Sequence, residues 1–149
     1  LLQVPIVGKV YYNLVTARLL QAMATLLDNG LTLSSALTRT SALADNKEIE
    51  ERILDARRSI EDGERLSAAL GQHRVFPKTV VMVLVAAEEA SNLSDGFQRM
   101  ANFYDDEVQA SLDSATALAE PIIMVVMGCI SGFIAIAAVL PTLELIRHF

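Results

Sequence analysis

The chain has 149 residues, 52% of them hydrophobic, with 12 Lys+Arg against 18 Asp+Glu and a formal net charge of −6. That length accommodates one domain with a sizeable core. An acidic balance with no basic block argues against nucleic acid as a partner, and the single Cys129 cannot form an intrachain disulfide.

Residues 1–8 read as an irregular leading segment marked by Pro5 and Gly8. From Lys9 to Asn29 one helical stripe carries Arg18, Gln21, Thr25 and Asp28, and another carries Val15, Leu19, Met23 and Leu26. Gly30 follows as a stop. Thr32 is placed to cap a shorter helix from Leu33 to Leu43, and Asp45 to cap the next. In that next helix Ile49, Ile53, Ala56 and Ile60 recur at helical spacing, and Gly63 ends it. Glu64 to Leu70 predicts one or two turns, followed by a loop over 71–77. Pro77 opens a helix to Ala90, whose Val80–Val85 run predicts burial on most sides. Asn92 or Ser94 opens the last bundle helix, with Leu93, Phe97, Met100, Tyr104 and Val108 on one stripe, running to Ala119.

Between Glu120 and Glu144 lie 23 residues (121–143) without a charge. At about 1.5 Å per residue they extend roughly 34 Å, enough to cross a hydrocarbon core of about 30 Å. Pro121 stands where such a helix would start or bend, and Gly128 and Gly132 form a Gly-x-x-x-Gly pair suited to close helix packing. No interval shows sustained period-two alternation. The fold class is therefore all-α: an antiparallel bundle of about six helices over residues 9–119, followed by one transmembrane helix and a short tail over 120–149. Of the 12 basic residues, all but Arg147 precede the apolar run, but only Arg99 lies within about 21 residues upstream of it, so the charge bias is weak and mildly favours the cytoplasmic side for the bundle.

Chemistry-bearing motifs are missing from this pattern. His73 and His148 flank the apolar run from opposite sides, and there is no His-Glu-x-x-His, phosphate loop or Gly-x-Ser-x-Gly elbow. We therefore expect no catalytic, cofactor or metal site. The carboxylates remain as interaction candidates. Glu88 and Glu89 close an apolar helix where the C-terminal dipole disfavours negative charge, so the pair could bind a divalent cation, accept an arginine from a partner or pin a neighbouring helix; the plainer reading leaves one in solvent and pairs the other with a bundle arginine. Asp105, Asp106 and Glu107 form an acidic run beside Tyr104, and Glu64 begins a short helix that it could cap.

Several short motifs then fall in one order: Pro5-Ile-Val-Gly8-Lys9, Leu26-Leu-Asp-Asn-Gly30, Gly63-Glu64-Arg65-Leu66-Ser67, Phe76-Pro77, Glu88-Glu89-Ala-Ser-Asn-Leu93, Phe103-Tyr104-Asp-Asp-Glu107-Val108 and Glu120-Pro121. In this order the chain resembles the F-domain family of bacterial type II secretion and type IV pilus assembly, the inner-membrane platform proteins. Two departures stand out. The family's Gly-Glu-x-Ser/Thr-Gly-x-Leu reads Ala87 to Leu93 here without either glycine, which argues against a turn needing a positive φ at Ser91. One copy of the domain stands where the family carries two, so the chain looks like the C-terminal copy with the last span, a piece of a longer protein. The resemblance implies an oligomeric, non-enzymatic inner-membrane protein with a cytoplasmic bundle and a periplasmic C-terminus. Its implied partners are a cytoplasmic assembly ATPase, pilin or pseudopilin subunits, other inner-membrane assembly proteins and the lipid bilayer. Glu88, Glu89, Glu64, Tyr104 and Glu107 are then candidate contacts, with Gly128, Gly132 and Pro121 packing the membrane helix. The alternative reading is a single-span receptor or adaptor whose helical cytoplasmic domain binds a regulatory partner.

Overall fold

A computed structural model describes residues 5–147, which form six α-helices and contain no strand. They are α1 (Pro5–Asp28), α2 (Leu33–Ser41), α3 (Lys47–Glu61), α4 (Leu66–Gln72), α5 (Lys78–Glu89) and α6 (Leu93–Arg147). The chain divides after Gln109 into two units, and α6 contributes to both.

Residues 1–4 of the expected leading segment lie outside the described residues, and from Pro5 the chain is already helical. This corrects the expected irregular stretch at Pro5 and Gly8: a proline at the first helical position loses no hydrogen bond, because that N–H has no intrahelical acceptor. The core of the first unit is built from one face of every helix. Leu20, Met23, Leu37, Ile53, Leu66, Leu70, Leu84 and Phe97 are fully buried, each contributing about 1.5–3 kcal/mol of transfer free energy. Phe97 of α6 meets Phe76 edge to face, with ring centroids 6.4 Å apart. Polar cross-links run along the rim: Gln21 and Gln98 exchange amide hydrogen bonds, and the Ser94 hydroxyl donates to Asp28.

The caps divide between the expected and the unexpected. Thr32 accepts from the Ser35 amide and opens α2 as its position predicts. The cap of α3 is Asn46, whose Oδ1 accepts from the Glu48 amide at 2.9 Å. Asp45, the expected cap, instead faces Arg18 of α1 at 3.4 Å. One position of register separates two equally good cap residues, and the structure uses the second. The loop expected over 71–77 is shorter than its glycine suggests, because α4 continues to Gln72.

Four helices end in the same way. After α1, α3, α4 and α5 the chain turns through a residue of positive φ: Gly30 (81°), Gly63 (100°), Arg74 (53°) and Ser91 (53°). In each case two amides reach back to orphan carbonyls, as where Ser91 N–H donates to Glu88 and Asn92 N–H to Ala87. The doubt that the missing glycine cast on a positive φ at Ser91 is thus removed: the paired hydrogen bonds outweigh a left-handed penalty of roughly 1–2 kcal/mol.

The Val80–Val85 run is helical, yet not buried on most sides as expected. Val80 and Leu84 are fully buried, whereas Met82 is 72% and Val85 39% exposed. A helix on the outside of a bundle buries one stripe only, however apolar its other face. The expected boundary near Ala119 is also missing. Pro121 and Pro141 both lie inside α6, so Pro121 neither begins a helix nor breaks one. In the second unit the large apolar residues from Leu118 to Leu143 are all exposed. An 18-residue window there has a mean hydropathy of 2.7 with none of it buried, long and apolar enough to cross a membrane.

Candidate functional site

Glu88 sits in the last turn of α5, where the helix dipole alone would disfavour it. Its side chain is only 16% exposed and is aimed at the start of α4. Oε1 accepts from the Leu66 amide at 2.8 Å, and Oε2 accepts from the Ser67 amide at 3.3 Å and the Ser67 hydroxyl at 2.5 Å. Arg65 adds its guanidinium at 3.7 Å from Oε2. The residue at the cap position of α4, Arg65, supplies no side-chain hydrogen bond of its own. A carboxylate from a different helix therefore satisfies the first amides of α4, and it meets the favourable end of that helix's dipole. Burial works to raise the Glu88 pKa, but the Ser67 hydroxyl, the Leu66 and Ser67 amides and the Arg65 charge outweigh it. The carboxyl is held below the usual carboxylate range.

This arrangement reassigns two of the candidates. Glu64 was expected to cap the short helix; it lies two positions before the first helical residue and is half-buried, and Glu88 takes the capping role. Glu88 has its oxygens occupied inside the bundle, and its neighbour Glu89 is the exposed one. Tyr104 is 8% exposed and belongs to the core rather than to an open surface. Burial, with Tyr12 and Glu107 nearby, raises its pKa. Glu107 is half-buried on the same helix, while Asp105 and Asp106 are exposed. The structure thus gathers Glu88 with residues 65–67 and leaves Tyr104 and Glu107 on a separate helix. Sequence reasoning missed the two amides and the hydroxyl of Leu66 and Ser67. Their signal was present: Leu66 begins an apolar helix with no Ser, Thr, Asp or Asn immediately before it.

In the second unit, Gly128 and Gly132 are exposed, and a Cβ built at either one meets no atom within 4 Å. Glycine is not required there by α6 itself. Among the described residues, no three His, Cys, Asp or Glu side chains are grouped to hold a metal ion.

A helical bundle whose last helix carries a wholly exposed apolar segment defines an all-α protein with a candidate membrane span. Residues 19–141 match the family described as type II secretion system (T2SS), protein F, and the chain belongs to that family. Among its relatives, a type IV pilus assembly protein PilC of Myxococcus xanthus is 32% identical over 141 residues, covering 95% of this chain and 34% of that protein. A PilC of Thermus thermophilus is 32% identical over 146 residues, covering 97% and 36%. A type II secretion system protein F of Pseudomonas aeruginosa is 27% identical over 145 residues, covering 97% and 36%. The chain spans about a third of the length of these curated relatives.

Proposed function

We propose that this chain is the C-terminal bundle and last membrane helix of an inner-membrane platform protein. In this reading it couples a cytoplasmic assembly ATPase to pilin or pseudopilin assembly and hydrolyses nothing itself. The observation that carries the reading is the match to the protein F family over residues 19–141, with relatives named for pilus assembly and for type II secretion. In this reading the bundle lies in the cytoplasm and the C-terminus in the periplasm, an orientation that follows from the platform role and agrees with a weak charge bias across the apolar segment.

The physical properties of the chain suit that task. Force is transmitted through elements that do not flex, and here α1, α3, α4 and α5 are each stopped by paired backbone hydrogen bonds and α4 is tied to α5 through Glu88. The exposed apolar segment of α6 gives lipid or sister helices a continuous surface, with Gly128 and Gly132 allowing close approach. Glu89 and Glu64, on the same end of α5 and α4, are the carboxylates placed to meet an arginine or lysine of a partner, while Glu88 holds that end in shape.

The test is made in cells lacking the gene, complemented with wild type or Glu89→Lys. Surface filaments are imaged and secreted protein is assayed in the same cultures. Loss of filaments or of secretion without the protein is expected, and the function lost identifies the machine. Persistence of both in cells with no second protein of this family overturns the platform reading. Normal assembly by Glu89→Lys removes that residue as a contact.

A further inference from the structure

Two open grooves lie on the first unit. The larger, about 670 Å³, runs between α1, α2 and α6 and has mixed charge, with Arg18 already paired to Asp45 and with Asp105 on its wall. The second, about 600 Å³, has a different character. Its floor is apolar, from Phe76, Pro77, Val81 and Met82, with the half-exposed ring of Tyr12 at one side. Its charged lining residues are Arg52, Arg74 and Lys78, and no acidic residue lines it. In a chain of net charge −6 this is a local reversal of sign.

The three cations are not equally engaged. Arg52 pairs with Glu48 and donates to the Arg74 carbonyl at 3.3 Å, which fixes the wall. Arg74 and Lys78 are exposed, and among the described residues neither has a carboxylate within 4 Å. Lys78 is the first residue of α5, whose start carries no acidic side chain and no side-chain cap. Its charge therefore adds to the positive end of the helix instead of being offset. Arg74 occupies a left-handed position, φ 53°, where glycine would be unstrained. Met82, 72% exposed at the edge of the floor, is the type of flexible apolar side chain that adapts to a partner surface.

We propose that this groove docks an acidic, amphipathic segment of a partner protein: apolar side chains against Phe76, Val81 and Met82, and aspartates or glutamates against Arg74 and Lys78. The charge complementarity selects the ligand, since a purely apolar segment would leave two cations facing it unpaired. The net charge of −6 on the whole chain disfavours a long polyanion such as nucleic acid as the occupant. The inference stands on the groove alone and does not depend on the platform reading.

The full-length protein is expressed in its own cells with a photo-crosslinking phenylalanine at Met82, and the crosslinked peptide is sequenced by mass spectrometry. The expected adduct is a segment of another protein with at least two carboxylates within two turns of its apolar residues. Arg74→Glu or Lys78→Glu is expected to lower its yield at least fivefold, while Lys47→Glu, outside the groove, leaves it unchanged. Circular dichroism checks that each variant is folded. Absence of an adduct, a lipid adduct, a crosslink to a second copy of this chain, a neutral segment, or a yield indifferent to charge reversal each overturns the proposal. Loss of crosslinking in cells that still assemble filaments or secrete would bear on this groove and not on the platform reading.

Discussion

Replacing Glu88 isolates what one carboxylate does for the bundle. In Glu88→Ala the amides of Leu66 and Ser67 and the Ser67 hydroxyl lose their acceptor in a half-buried setting. Hydrogen bonds to a charged group contribute about 1.5–3 kcal/mol each, and they share one acceptor group here, so the sum is less than additive. Arg65, 59% exposed, adds little after solvent screening. The expected loss is about 3 kcal/mol, on the order of 10 °C in melting temperature for a bundle of this size. Glu88→Gln keeps an acceptor oxygen but loses the charge and is expected to cost about 1 kcal/mol. The pH dependence separates this account from mere packing. Because the folded pKa lies below that of an ordinary glutamate, the stabilisation is fully present above the ordinary value and is lost as pH falls through the folded pKa. Thermal melts of the whole chain in detergent, followed by circular dichroism, should therefore show wild type and Glu88→Gln apart at pH 7 and converging in acid. Equal melting at pH 7, or a gap that is the same at every pH, would refute the reasoning.

Three further perturbations follow from the backbone and the core. Ser91→Gly should raise stability by about 0.5–1 kcal/mol in the same melts, since it removes the strain of φ 53° and costs only unfolded-state entropy. Gly96→Ala should destabilise by about 1–3 kcal/mol, because the added Cβ would stand 2.5 Å from the Cβ of Ala87; adding Ala87→Gly to that variant should recover most of the loss. Thr40→Val should hold or raise stability by about 1 kcal/mol in denaturant titrations, since the Thr40 hydroxyl is buried with no hydrogen-bond partner among the described residues.

Glycine and apolar spacing in the chain announce most of the helical order. Gly30 and Gly63 end helices where their flexibility predicts, Thr32 caps α2, and the Phe97–Met100–Tyr104–Val108 stripe lies in the core. Some of the readings that changed turn on interactions between distant residues. Asp45 and Asn46 are equivalent as caps by residue type, and in the fold Asn46 caps α3 while Asp45 faces Arg18. The Val80–Val85 run has the composition of a buried segment, but α5 sits on the outside of the bundle and covers only Val80 and Leu84 completely.

The same division holds for the candidate contacts. Glu88 and Glu89 are indistinguishable as a sequence pair, and a rotation of about 100° around the helix sends one to the amides of α4 and the other to solvent. Tyr104 belongs to the apolar stripe and also neighbours an acidic run; packing decides for the core. Local sequence by itself determined what depends on neighbours within a few positions: helical periodicity, stops, the all-α class and a 121–143 segment apolar enough for lipid. Tertiary structure alone decided which carboxylate is consumed inside the bundle and that Arg74 and Lys78, four residues apart, line one groove with Tyr12 and Arg52. Those outcomes depend on helices meeting across tens of residues, and the pattern of a single helix carries no information about the face it will meet.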